Sequence, residues 1–136
     1  MGKSQAEINV DVSVVIRKAN KVLLMLRPKH DHNFPLHWGI PGGGFELFDC
    51  SLEATAVREV SEEVGIKITN LDLVENHFNV ERNVLFVVFV ADYMDDDILT
   101  DPNEVAEAGW FSIDDIRDGR KFTPETKRIV ESVYAA

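Results

Sequence analysis

The sequence predicts an α/β fold in which a mixed β-sheet lies between helices. Apolar residues alternate with polar ones in several short segments, as they do in half-buried strands, and recur every four residues in another, as on a helix. Strand-like and helix-like segments also follow one another along the chain, with hairpins among them. This order is typical of a mixed sheet that is covered by helices.

Length and charge narrow the class of protein. We expect residues 1–136 to form a single domain, since 136 residues suffice for a buried core. The formal net charge of -10 argues against binding of a nucleic-acid polymer, whose partners are normally basic. No apolar run is long enough to span a membrane, and Met1 to Asn9 lacks the apolar stretch of a signal peptide. Cys50, the only cysteine, excludes an internal disulfide, so we expect a cytoplasmic location.

The first part of the chain predicts a hairpin and a glycine turn. Ile8 to Arg17 alternates apolar and polar residues, and Val22 to Leu26 follows after a short turn, so the two segments form paired strands. Pro28 to Pro35 is a polar loop. Trp38 then leads into Pro41-Gly42-Gly43-Gly44, where the glycines permit a close approach of the backbone to a ligand.

A helix is predicted directly after the glycine turn. Ser51 or Cys50 begins it, and Gly65 stands where a left-handed C-cap is expected. The predicted buried stripe consists of Leu52, Ala56, Val60 and Val64, widened by Val57.

The second half of the chain predicts three more strands and two more helices. Proline at the first turn of a helix needs no backbone N–H, which suits the start of the last helix. The predicted segments are strands at Leu71 to Val80, Val84 to Tyr93 and Ala106 to Phe111, an acidic loop from Tyr93 to Asn103, a short helix from Ile113 to Asp118, and a last helix from Thr123 towards Tyr134 with Pro124 in its first turn.

Three carboxylates form an acidic face on the first helix. Glu59, Glu62 and Glu63 stand at i, i+3 and i+4, so they share one side and repel one another unless a cation gathers them or water surrounds them. Magnesium is usually held by a few carboxylates together with phosphate oxygens. A glycine turn before a helix often receives phosphate. Together with Arg58, the pattern favours metal-assisted chemistry on a diphosphate, although the carboxylates alone are also typical of a solvated surface.

This stretch resembles the Nudix box, Gly-x5-Glu-x7-Arg-Glu-(aliphatic)-x-Glu-Glu-x-Gly-(aliphatic). The first half departs from the pattern, because counting back from Arg58 places the box glutamate at Cys50, whereas counting forward from Pro41 places it at Asp49. The loop Leu47 to Cys50 therefore carries a one-residue insertion, and Asp49 is the candidate substitute, with a shorter reach. The second half matches at Arg58, Glu59, Val60, Glu62, Glu63, Gly65 and Ile66.

The resemblance implies a Nudix-like α/β/α sandwich and a set of site residues. It implies that magnesium, or manganese, is bound by Glu59, Glu62 and Glu63, with the carbonyl of Gly42 as a further ligand. It also implies one more acid from a later loop, for which Asp101, Glu104 and Glu107 are candidates and Glu104 is preferred. The predicted catalytic residues are Glu62, Glu63, Arg58 and Glu104; the predicted substrate-binding residues are Arg27, Gly43, Gly44 and Phe45; and the aromatic candidates for stacking on a base are Trp38, Phe45, Phe48 and Phe122.

The expected function is hydrolysis of a diphosphate linkage in a nucleoside diphosphate derivative: a nucleoside triphosphate, a nucleotide sugar or ADP-ribose. The alternatives are a non-catalytic Nudix-like nucleotide sensor and a plain acidic interaction domain. The expected partner is this small molecule, without a nucleic-acid polymer or a membrane, and the resemblance admits a homodimer. Base selectivity is expected from the loops Pro28 to Pro35 and Leu47 to Cys50.

Overall fold

The computed structural model describes residues 7–94, 97–116 and 120–134. Its strands are β1 (Asn9–Lys18), β2 (Lys21–Leu26), β3 (Trp38–Gly39), β4 (Gly42–Gly44), β5 (Ile68–Asn79), β6 (Val84–Tyr93) and β7 (Glu107–Ser112). Its helices are α1 (Leu52–Val64), α2 (Ile113–Ile116) and α3 (Pro124–Tyr134). None of the helices within these ranges is long and apolar enough to cross a membrane.

The described strands form a mixed sheet, as predicted. The strand order is β3-β2-β1-β6-β5, while β4 pairs with β1 and β7 pairs with β2. β1 runs parallel to β6 and antiparallel to β2 and β4, so the predicted hairpin of β1 and β2 is confirmed. β4 and β6 pair with opposite edges of β1, so β1 and β6 lie between β4, the glycine strand, and β5.

Helices cover both faces of the sheet. Because side chains alternate along a strand, β1 sends Val14 into the core under α1 and Val15 into the core under α3. The first core also contains Val60 of α1, and the second contains Ile116 of α2 and Ile129 of α3. This is the predicted arrangement of a sheet between helices.

The ends of α1 agree with the prediction, and one part of its buried face does not. Ser51, rather than Cys50, is the N-cap, since its Oγ accepts a hydrogen bond from the N–H of Ala54 at 3.0 Å. Gly65 is left-handed, with φ of 69°. The prediction that Val57 widens the buried stripe is wrong, because Val57 is 39% exposed. Thr55 is buried instead, and its hydroxyl donates a hydrogen bond to Asp49.

Other element boundaries shift by a few residues. β5 begins at Ile68, before the predicted Leu71, and its pairing with β6 changes register twice, between Thr69 and Asp72 and between Leu73 and Glu75. The part of the predicted short helix beyond Ile116 lies outside the described residues, as do residues 95 and 96 of the predicted acidic loop.

Candidate active site

Arg58 connects the groups of the Nudix-like segment. Its Nε and Nη2 each donate a hydrogen bond to Asp49 at 2.9 Å, and Nη2 also donates to the carbonyl of Gly44 at 3.1 Å. Nη1 donates to Glu59 Oε1 at 2.9 Å and to Glu62 Oε2 at 3.4 Å. The guanidinium therefore orients two carboxylates of the acidic face and the loop that precedes the helix.

Asp49 occupies the position for which the sequence allowed two candidates. Besides its two bonds from Arg58, it accepts hydrogen bonds from Thr55 Oγ1 at 2.9 Å and from the N–H of Glu46 at 3.0 Å. Hydrogen bonding to Arg58 holds the pKa of this buried carboxyl well below its usual range. Cys50, by contrast, is exposed. The structure thus favours the count that places the box position at Asp49.

Two glycines of β4 bring the backbone against carboxylates of α1. The N–H of Gly42 donates to Glu63 Oε1 at 2.8 Å. A Cβ on Gly43 would overlap the carboxylate of Glu59, and a Cβ on Gly42 would overlap the carbonyl of Val12. At Gly42 the obstacle is the backbone of β1, so only glycine fits there, whereas at Gly43 a side chain would have to displace the Glu59 carboxylate.

Three acidic side chains meet at one end of a cavity. Glu59, Glu63 and Glu104 all line it. Burial raises the pKa of Glu63 to about 8, and the negative charges of Glu59 and Glu104 contribute to the increase. Burial also raises the pKa of Glu59. Among the loop acids, the structure thus brings Glu104 to the cavity, whereas Glu107 pairs with Leu26 in the sheet.

The acidic side chains at this end of the cavity are of the type that binds hard cations, but they are not grouped closely enough to form a metal site. Within the described ranges, no three His, Cys, Asp or Glu side chains are grouped so that they hold a metal ion. Glu62 is bonded to Arg58 and its side chain is 53% exposed, so it does not line the cavity. Nevertheless, Glu59 and Glu63 are partly desolvated oxygen donors that repel each other, and such a pair suits magnesium or manganese.

The cavity has a volume of about 740 Å³ and extends well beyond the acids. Its floor is formed by β4, β1, β6 and β5, and its walls by the loop after β2 and the start of α3. Arg27 and Gly43, two predicted substrate residues, line it; Gly44 and Phe45 do not. Arg27 donates to Asp31 Oδ2 at 2.8 Å, and its buried Nε has no hydrogen-bond partner among the described groups.

Several cavity residues were missed by sequence reasoning. The β5–β6 hairpin and α3 line the part of the cavity away from Glu59, Glu63 and Glu104, with Glu75, His77, Arg82, Phe86 and Arg128. None of the four predicted aromatic candidates lines the described cavity, nor does the loop Leu47 to Cys50. The alternation of Glu75, His77 and Asn79 was the available signal, but the register shift of β5 hid which face they occupy.

Comparison with protein families and with characterised sequences gives a consistent picture. The family model described as the NUDIX domain matches residues 7–133. A protein named NAD-capped RNA hydrolase NudC from Citrobacter koseri is 35% identical over 105 residues, and that from Escherichia coli strain K12 / DH10B is 34% identical. Each match covers 77% of this chain but only 39% of the relative's length.

Solved structures agree on the fold. The MutT NUDIX hydrolase from Burkholderia pseudomallei superposes with a TM-score of 0.74 at 24% identity, covering 94% of this chain and 99% of its own. The NUDIX domain of Shewanella oneidensis NrtR, solved with ADP ribose, superposes with a TM-score of 0.80 at 21% identity, covering 97% and 89%. At these identities the likeness establishes the fold, and it confirms the predicted α/β/α arrangement.

Proposed function

Because this chain belongs to the NUDIX hydrolase family, we propose that it is a metal-dependent pyrophosphohydrolase that cleaves a diphosphate linkage in a nucleoside diphosphate derivative. The observation that carries the proposal is the meeting of Glu59, Glu63 and Glu104 at one end of a cavity that is large enough for a nucleotide. A plain acidic surface would leave these carboxylates in water, and it would not bury Glu63 against a glycine strand.

The proposed cofactor is Mg²⁺, with Mn²⁺ as a substitute. Glu59 and Glu63 would hold it, with Glu62 and the carbonyl of Gly42 as further proposed ligands. When bound, such an ion neutralises phosphate oxygens and lowers the pKa of bound water. Arg58 keeps Glu59 in place, and the N–H of Gly42 orients Glu63.

The remaining catalytic assignments concern the proton and the phosphates. Glu104 is our proposed proton acceptor, because it is the loop acid that lines the cavity close enough to Glu59 and Glu63 to raise their pKa values. Arg27 is the proposed phosphate ligand, since it lines the cavity and lies close enough to Glu63 to lower the pKa of that carboxyl. Gly43 lies at the same end of the cavity, so its backbone is the proposed neighbour of the diphosphate.

The comparisons widen the substrate class. Relatives named NAD-capped RNA hydrolases and a structural neighbour solved with ADP ribose support a substrate in which a diphosphate joins a nucleoside to a second group. Nucleoside triphosphates and nucleotide sugars belong to the same proposal. The exclusion of nucleic-acid polymers stays a prediction from charge, so a capped RNA belongs in the test. We further propose a single domain over residues 1–136, a cytoplasmic location and a homodimer.

The decisive experiment is a substrate panel with product identification. The purified protein is incubated with nucleoside triphosphates, nucleotide sugars, ADP-ribose, NAD and NAD-capped RNA, with Mg²⁺ or with EDTA. We expect nucleoside monophosphate or phosphate products with Mg²⁺ and none with EDTA. Glu62→Gln and Glu63→Gln should lose most of the turnover, whereas Glu81→Gln in the exposed β5–β6 turn should keep it.

Two results would reject this proposal or the site assignment. Binding of a panel member without any product would favour the non-catalytic alternative. Full turnover by both Glu62→Gln and Glu63→Gln would show that the acidic face is not the active site.

A further inference from the structure

The floor of the cavity extends across four neighbouring strands. Gly42 of β4 pairs with Ser13 of β1, Ser13 with Val88 of β6, and Val88 with Glu75 of β5. All four residues line the cavity. Three strand spacings separate the two ends of this row, which is about 14 Å. A substrate that fills the cavity from Gly42 onwards therefore has a group far from the acidic end.

A β-bulge turns the last residue of this row towards the cavity. The pairing of β5 with β6 slips by one residue between Leu73 and Glu75, so that Glu75, rather than Val74, lies opposite Val88. A one-residue slip moves every following side chain to the other face of the sheet. The same slip therefore places His77 on the cavity face, opposite Phe86. Bulges commonly redirect side chains in this way beside binding sites.

The far end combines an aromatic surface with a hydrogen-bond acceptor. The rings of His77 and Phe86 stack with centroids 6.3 Å apart and an interplanar angle of 17°. Nη1 of Arg128, on α3, donates a hydrogen bond to Glu75 Oε2 at 3.2 Å. The same nitrogen lies 3.2 Å from Oε1, with which it forms an ion pair. Oε1 is buried, yet within the described part of the chain it receives no hydrogen bond.

Arg128 also fixes the direction of the Glu75 carboxylate. Its Nη2 donates to Glu125 Oε2 at 2.7 Å, and its Nε donates to the same oxygen at 3.1 Å. The guanidinium thus bridges Glu125 and Glu75, and this pairing favours one orientation of the Glu75 carboxylate. Glu75 Oε1 is ion-paired with Arg128 but accepts no hydrogen bond within the described residues, so a base that directs an N–H at it gains a hydrogen bond that other bases do not make.

We propose that Glu75, His77, Phe86 and Arg128 form the subsite for the substrate's nucleobase, and that Glu75 selects bases which direct an N–H donor at Oε1. The base stacks on the His77–Phe86 surface, while the diphosphate lies beside Gly42 and Gly43. The inference rests on the proposed function for the placement of the diphosphate, but base binding itself is measured without hydrolysis.

The test is a binding titration with AMP, GMP, CMP, UMP and ribose 5-phosphate in the presence of Mg²⁺. These monophosphates contain no diphosphate bond, so they report binding alone. We expect the wild type to separate its best and worst nucleotides by about tenfold or more in Kd. In Glu75→Leu the spread should shrink to within about threefold, with the Kd of ribose 5-phosphate unchanged. Glu75→Gln should alter the ranking of the bases, and Glu81→Gln should preserve it.

The possible outcomes distinguish failure of the base subsite from failure of the proposed hydrolysis. A wild-type spread below about threefold, or an undiminished spread in Glu75→Leu with an intact thermal transition, overturns the assignment. If Glu75→Leu does not fold, an unchanged ranking in Glu75→Gln overturns it instead. A protein that shows the expected spread but cleaves nothing in the substrate panel retains the subsite and loses the proposed function.

Discussion

At the scale of single residues, Arg58 and Asp49 form a bidentate pair, in which Nε and Nη2 of the guanidinium each donate to the carboxylate at 2.9 Å. Asp49 lies in the loop where the two counts along the Nudix-box pattern differ by one residue. A bidentate arginine–carboxylate pair has a defined geometry that a single hydrogen bond lacks. The pair therefore fixes the guanidinium relative to the loop before α1.

Asp49→Asn should reduce kcat by about 10–100-fold, because Arg58 would lose its bidentate partner and hold Glu59 less firmly. Cys50→Ser is the matched control in the same loop and should have wild-type activity. Steady-state kinetics on the best substrate of the panel provides the measurement. Equal losses in both variants would point to a general effect of the loop.

The depressed pKa of Asp49 also predicts a pH dependence at the acid side. The folded state binds the proton less readily than the unfolded state, whose Asp pKa is about 3.9. The stability from this carboxylate is therefore present above about pH 4 and is lost as the pH falls through lower values. Asp49→Asn should flatten that decline in denaturant melts, and a decline as steep as in the wild type would contradict the assignment.

Glu63 predicts the opposite sign in the metal-free protein. Its pKa is raised to about 8, so between about pH 4.5 and 8 the folded state holds a proton that the unfolded state has lost. The free energy of unfolding in EDTA should consequently fall across this window, by at most about 1.4 kcal/mol per pH unit from this group. Glu63→Gln should reduce the slope relative to Glu81→Gln, and parallel profiles would speak against burial of a neutral Glu63.

At the scale of elements, the backbone of β4 packs closely against both its neighbour β1 and the helix α1. Its residues have different amounts of free space: Gly42 and Gly43 have none for a Cβ, while at Gly44 the nearest atom would be Asp11 Oδ1 at 3.8 Å. The three consecutive glycines thus have separate reasons to be small. Gly42 is required by the backbone of β1, Gly43 leaves room for the Glu59 carboxylate, and Gly44 has no such constraint.

Gly43→Ala should abolish most of the turnover, because its methyl group would displace the Glu59 carboxylate. Gly42→Ala should mainly destabilise the fold, by about 1–3 kcal/mol, since the obstacle is the backbone of β1. Gly44→Ala is the control and should change neither property much. Thermal melts together with kinetics distinguish the three variants, and a fully active Gly43→Ala would refute the placement of Glu59.

At the scale of the whole molecule, both the net negative charge and the acidic end of the cavity favour the binding of a divalent cation. A protein with a formal charge of -10 repels an anionic diphosphate unless cations intervene. Burial and the neighbouring negative charges also disfavour the ionised forms of Glu59 and Glu63, so the metal-free state carries a local cost. A divalent cation that binds only the folded state relieves both effects.

Mg²⁺ or Mn²⁺ should therefore raise the Tm of the wild type, corresponding to about 2.7 kcal/mol at a concentration 100 times Kd. The increase should be much smaller in the double variant Glu59→Gln/Glu63→Gln. Differential scanning calorimetry at constant ionic strength, adjusted with NaCl, separates specific binding from general screening. An equal increase in both proteins would mean that the cations act only on the net charge.

Much of the fold could be predicted from the sequence because its signals are local. Ser51 and Gly65 bound α1 through contacts within a few residues, and the alternation in β1 follows from the pleat of a strand. Val57 was predicted wrongly because an apolar pattern does not show that the polar Thr55, which bonds to Asp49, occupies the buried flank of the stripe.

The sequence by itself determined that Arg58, Glu59, Glu62 and Glu63 lie on one side of a helix after a glycine turn, since helical spacing needs no information from elsewhere in the chain. Only the tertiary structure decided which of these carboxylates face the cavity, and that Glu104 joins them there. It also decided that Glu75 and Arg128 meet across 53 residues. These contacts depend on helix packing and on strand register. A one-residue bulge moves every following side chain of a strand to the other face of the sheet, and no local pattern encodes it.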